Sequence, residues 1–77
     1  MPRYIEAPEP GTIGERLYDL RVEAGLSAKG LAKELICRPA SIRDWENNKH
    51  TPALSIIVQY AKFFKVTTDW ILIGEKG

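Results

Sequence analysis

The stretch LAKELICRPASIRDWENNKH, residues 31–50, decides the fold. Leu31, Ala32 and Leu35 recur at the spacing of one helical face, and Ile42, Trp45 and Glu46 do the same further on. Ile36, Cys37 and Arg38 separate the two runs. Pro39 suits the first position of a new helix, where its missing N–H would have had no partner, and it disfavours a helical Arg38. Asn48 is a plausible left-handed stop. Two short helices are therefore expected to meet across a three-residue turn. Ala32 is small enough to let them cross closely, and Ile42 fills the angle between them.

The flanking sequence supplies more helices and little else. Thr12 and Glu15 fit a capping box, followed by Ile13, Leu17, Leu20 and Ala24 at helical spacing and by Gly25 as a stop. Ser27 can cap the helix that holds Leu31, with Leu26 stapled against Leu31. Gly30 costs that helix about 1 kcal/mol relative to alanine, so packing must hold it. Thr51-Pro52 is expected to start a fourth helix with Leu54, Ile57, Val58, Ala61 and Phe64 inward. Val66 and Thr67 repeat the staple and cap, Val66 facing Ile71, for a short fifth helix ending at Gly74. Strand alternation, repeats and low-complexity runs are absent from the sequence. Residues 1–11 hold three prolines and a glycine and are expected to be an extended or disordered tail, with the folded domain over 12–77. The predicted class is all-α, five helices joined by short turns.

Composition bounds the function. The 77 residues allow one small domain, and their formal charge of +1 is a weak signal for a polyanionic partner. Distribution says more: residues 24–50 hold five Lys or Arg against three acids, whereas residues 1–23 hold three against five. The single cysteine, Cys37, cannot form an internal disulfide, and nothing resembles a secretory signal or a membrane span, so a cytoplasmic location is expected. One Cys and the lone His50 cannot build a metal cluster, and no catalytic constellation is present. Neither an enzyme, a cofactor, a membrane nor a small-molecule ligand is expected. Cys37 reads as a small buried hydrophobe rather than a redox switch.

A helix pair crossing in this way is a helix-turn-helix, whose second member can enter a DNA major groove. Arg21, GLS at 25–27, LA at 31–32, Leu35, Ile42, WEN at 45–47, Lys49, Pro52, Leu54, Val66 and Asp69–Leu72 with Gly74 together resemble the Cro/repressor-type (xenobiotic response element) helix-turn-helix family. The resemblance spans about residues 13–74. It implies a five-helix, lambda-repressor-like domain and a sequence-specific DNA-binding transcriptional regulator, a repressor by expectation, that reads the major groove with the helix over 39–47. It implies that Arg21 and Glu46 pair across the first and third helices, as a guanidinium fork and a carboxylate can. By the same resemblance, Ala40, Ser41, Arg43 and Asp44 reach base edges, while Ser27, Ala28, Asn47, Asn48 and Lys49 grip phosphate. Arg38, which cannot accept a capping bond, can reach phosphate instead. Ala40 can touch a thymine methyl, Arg43 a guanine and Asp44 a cytosine amine.

Four positions depart from the family. Ala28 stands where Gln is usual, Ile36 where Gly is usual, Arg38 where Ser or Thr caps, and Lys65 where Gly is common. A β-branched Ile36 is expected to resist a left-handed conformation, so the turn should use another geometry or the second helix should run on. Trp70, Ile71 and Ile73 give the last helix many apolar groups for its size; they serve either simple packing or a dimer contact, and the latter suits a homodimer on an inverted-repeat operator in double-stranded DNA. The rival reading is a protein-binding module on the same fold, antitoxin- or adaptor-like, which Ala28, Asp44 and the low net charge favour.

Overall fold

The computed structural model describes residues 11–74. They form α1 (Ile13–Glu23), α2 (Ala28–Leu35), α3 (Pro39–Glu46), α4 (Leu54–Phe64) and α5 (Thr68–Ile73), with no strand among the described residues. The expected tail lies outside them except for Gly11.

Local chemistry sets the helix ends. The Thr12 hydroxyl accepts the Glu15 N–H at 3.2 Å, and the Glu15 carboxylate accepts the Gly11 N–H at 2.6 Å. Ser27 and Thr67 cap α2 and α5 by accepting the Gly30 and Trp70 N–H groups at 2.9 and 3.0 Å. α1 ends in a paired return of bonds, Leu26 N–H to the Arg21 carbonyl and Gly25 N–H to the Val22 carbonyl. α3 ends the same way, with Lys49 donating to Asp44 and Asn48 to Trp45. Gly25 and Asn48 take the positive φ that this motif requires, at 73° and 61°.

Two of the sequence-based expectations need correction. Ile36 does adopt the left-handed conformation, φ 55° and ψ 58°, and closes α2 in the position where glycine would be at ease. Its side chain is 90 % exposed, so nothing crowds the Cβ beyond its own backbone. Lys65 does likewise at the end of α4, with φ 60°. The second correction concerns α4. It starts at Leu54 behind Ala53, which offers no side-chain cap, and Pro52 is buried ahead of it. Leu54 and Val58 point outward, and Tyr60 takes the inward place with Ile57 and Ala61. α4 carries apolar residues almost all round, so its periodicity leaves the phase undetermined.

The core joins Leu17 of α1, Leu31, Ala32 and Leu35 of α2, Ile42 of α3, Ile57, Tyr60 and Ala61 of α4 and Ile71 of α5. Trp45 meets Tyr60 edge-on at 6.4 Å, and Tyr60 stacks on Phe64 at 5.9 Å. The Tyr60 hydroxyl is buried without a hydrogen-bond partner among the described residues, and burial foremost drives its pKa upward. α5 is held from α1: Arg16 donates from Nε to the Ile71 carbonyl at 2.7 Å and from a terminal nitrogen to the Leu72 carbonyl at 3.0 Å. A cation on the last carbonyls of a helix also meets the negative end of its dipole.

The start of α1 lies against the end of α3 so closely that only glycine fits. A Cβ on Gly14 would collide with the Glu46 carbonyl oxygen and with the Asn48 side chain. Gly14→Ala should therefore cost about 1–3 kcal/mol or more through overpacking. Thermal unfolding followed by circular dichroism should show a clear drop in Tm, and an unchanged Tm would contradict this contact. Ile36→Gly should act oppositely. Relief of about 1–2 kcal/mol of left-handed strain exceeds the loss of about 0.5–1 kcal/mol from glycine's chain entropy. The same melt should show a small rise in Tm.

Candidate nucleic-acid interface

α3 is fixed in the molecule by what lies beneath it. Ile42 is fully buried, Trp45 is half-buried, and Glu46 is 4 % exposed. Arg21 donates from Nε to one Glu46 oxygen at 2.7 Å and from a terminal nitrogen to the other at 3.0 Å. Its remaining terminal nitrogen donates to the Leu26 carbonyl at 3.0 Å, and the Tyr18 ring lies 5.6 Å below the guanidinium carbon. The hydrogen bond to Glu46 raises the Arg21 pKa, against an opposing effect of burial. One guanidinium thus ties α1, the turn before α2 and the last turn of α3.

With that side occupied, the opposite side of α3 faces out. Ala40, Arg43 and Asn47 are exposed, while Ser41 and Asp44 are half-buried. Arg38, at the head of the helix, is exposed and makes no capping bond. The Asn47 amide folds back to donate to the Arg43 carbonyl at 3.0 Å. Lys49 and His50 are exposed in the loop that follows. Arg38, Arg43 and Lys49, none of them in an ion pair among the described residues, therefore bring three cations to the two ends and the outer face of one helix.

The residues expected to grip phosphate divide. Ser27 is exposed, but its hydroxyl oxygen is engaged in capping α2. The Ala28 side chain is 8 % exposed and belongs to the core, so only its backbone can serve; the Ala28 and Lys29 N–H groups have no acceptor among the described residues. The Asn48 side chain is turned inward to α1: its Oδ1 accepts the Gly14 N–H at 3.0 Å and its Nδ2 donates to the Thr12 hydroxyl at 2.9 Å. Of the candidate dimer residues, Ile71 is fully buried in the core and is removed from any such surface. Trp70 is half-buried against the core, and Ile73 is 61 % exposed.

Other candidates gain nothing. Cys37 is half-buried, and burial raises its pKa, which favours the unreactive thiol. No group of His, Cys, Asp and Glu among the described residues could hold a metal ion. No helix there is long and apolar enough to cross a membrane. Three further structural residues are Gly14, Arg16 and Tyr60. Gly14 gave a signal, since a glycine in a first helical turn breaks local propensity for some reason. Arg16 and Tyr60 gave none.

Comparison with known proteins agrees with this geometry. A family model described as a helix-turn-helix domain matches residues 14–77. The chain belongs to the Cro/repressor-type helix-turn-helix family. This is a family of DNA-binding transcription regulators. One relative, an HTH-type transcriptional activator, BcrR, of Enterococcus faecalis, is 36 % identical over 62 residues. That match takes in 80 % of this chain and 30 % of the relative, so the chain spans about a third of the relative's length. The fold is similar to that of the P22 c2 repressor protein, solved in complex with synthetic operator 9T, with a TM-score of 0.79 and 22 % identity. The match covers 83 % of this chain and 97 % of the repressor chain.

The ion pair joins α1 to α3 with little exposure on either side chain. Glu46→Gln should strand the Arg21 charge and cost about 3–5 kcal/mol. The check is urea unfolding, in which the midpoint should fall sharply. A midpoint within experimental error of the unaltered chain would show that the pair is dispensable.

Proposed function

We propose that this domain binds double-stranded DNA sequence-specifically and regulates transcription from the sites it occupies. The observation that carries the reading is the outer face of α3, where Ala40, Arg43 and Asn47 stand clear of a core that holds Ile42 and Glu46 beneath them. A helix of about 10 Å diameter fits the major groove, and a face presented in this way can meet base edges. Arg43 is suited to guanine or a phosphate, and Ala40 to a thymine methyl. Ser41 and Asp44 contribute from its half-buried flanks. Arg38 and Lys49 hold phosphates, helped by Asn47 and by the free N–H groups of α2.

With so few donors on the reading face, base contacts are sparse, and DNA shape supplies part of the specificity. On an inverted-repeat operator, two copies would set their α3 helices in successive major grooves, ~34 Å apart. Ile73, exposed next to half-buried Trp70, gives the second copy an apolar place to start. Repression follows most simply, by occupation of a promoter. Activation, the role in the name of the Enterococcus relative, would require a further contact with the transcription machinery. A protein-binding module would leave the exposed cations of α3 without a task.

Binding to random and selected duplexes across a salt series tests the reading. Affinity should fall steeply with salt. Arg43→Ala should relax the preference among sequences, with a loss of about 1–3 kcal/mol on the preferred one. Lys49→Ala should weaken all sequences alike and reduce the salt slope by about one. Absence of binding at low salt would overturn the proposal, and equal losses from both variants on every duplex would remove Arg43 as a reader.

A further inference from the structure

We infer that Asn48 is a positioning residue for DNA binding: it clasps the loop that carries Lys49 and His50 onto the start of α1 and so holds the Lys49 ammonium where a phosphate will lie. The inference rests on the DNA-binding reading above. Asn48 has the left-handed backbone that ends α3, which aims its side chain back across the molecule. There the amide makes two bonds of opposite sense, accepting from the Gly14 N–H at 3.0 Å and donating to the Thr12 hydroxyl at 2.9 Å. Only an amide supplies an acceptor and a donor from one planar group of this length at fixed charge. Gly14 lacks a side chain at the point where any Cβ would strike this amide.

The loop has little else to hold it. Among the described residues, no other side chain between residues 47 and 53 hydrogen-bonds to another helix; Asn47 bonds only within its own. The Lys49 N–H closes α3 by donating to the Asp44 carbonyl at 2.9 Å, and no further hydrogen bond restrains the chain until buried Pro52. Lys49 and His50 are exposed and follow the clasp directly in sequence. Side chains on a loop lose affinity through the entropy of ordering them, and a clasp one residue away removes part of that cost before DNA arrives. Asn48 thus acts on phosphate through its neighbour, its own oxygen being engaged with α1.

A double-mutant cycle on duplex DNA tests this, using Asn48→Gly and Lys49→Ala singly and together. Glycine keeps the left-handed turn and deletes only the clasp. Asn48→Gly should fold and lose roughly three- to tenfold in affinity on every duplex, with a shallower salt slope. Adding Lys49→Ala should then cost little more. Amide exchange at Gly14 should accelerate in Asn48→Gly and recover in Asn48→Asp, which keeps the acceptor. This readout needs no DNA. Additive losses would show that Asn48 touches phosphate itself, and unchanged affinity would reduce it to a structural residue; either overturns the inference. Unchanged Gly14 exchange overturns the clasp. Failure of the unaltered chain to bind any duplex would overturn the DNA reading and the positioning role together, with Gly14 exchange still reporting on the clasp.

Discussion

The structure depends on the Arg21–Glu46 pair. A carboxylate 4 % exposed beneath a helix is costly unless a cation meets it with good geometry, and Arg21 does so with both prongs of its fork. The same guanidinium takes the Leu26 carbonyl, which fixes the chain immediately before Ser27 caps α2. One side chain thus registers α1, the turn five residues after it and the end of α3, twenty-five residues on. Apolar contact alone would hold α2 and α3 together but would leave their rotation softer, because hydrophobic burial has no direction. A hydrogen-bonded ion pair has one, and for that reason the outer face of α3 is defined as well as its inner face.

From that registration follows the division of labour on the surface. The start of α1 and the end of α3 touch through Gly14, Glu46 and Asn48, at a separation no larger residue would permit. Arg16 fastens the end of α5 to the same helix. α1 is therefore the strut against which both the candidate reading helix and the last helix are braced. Its outer side carries Asp19 and Glu23 four residues apart. Burial first, and then the neighbouring carboxylates Glu15 and Glu23, raise the Asp19 pKa. A side with this charge repels phosphate, whereas Arg38, Arg43 and Lys49 attract it, so a charge of only +1 overall still gives the domain a preferred approach to a polyanion.

Much of this was legible in the sequence because it was written in short-range terms. Caps at Thr12, Ser27 and Thr67, the stop at Gly25 and the turn at 36–38 are local features, and each helix was recognisable from its own period. What depended on distant partners was not. Tyr60 displaced Leu54 and Val58 from the inward face of α4, since a helix apolar on most sides acquires its phase only from the neighbours it meets. Ile36 took a left-handed backbone against its own preference because the meeting of α2 and α3 requires a sharp turn there and leaves its side chain free in solvent. Asn48 was recognised as a stop, but its side chain was expected on phosphate; that α1 begins within its reach is a fact of tertiary structure. Family position points Ala28 toward phosphate, and the last helix's apolar excess points Ile71 toward a dimer as its staple to Val66 points it inward; the core claims both.

The most direct test is a map of backbone amide chemical shifts as a short duplex is added at low salt. If α3 reads DNA with the face that its buried side leaves free, the largest changes fall at Ala40, Arg43 and residues 47–50, with a second group at residues 27–29. The outer side of α1 at Asp19 and Glu23 stays unchanged. Largest changes on α1 or on the exposed Leu54–Val58 side of α4, with α3 silent, would contradict it.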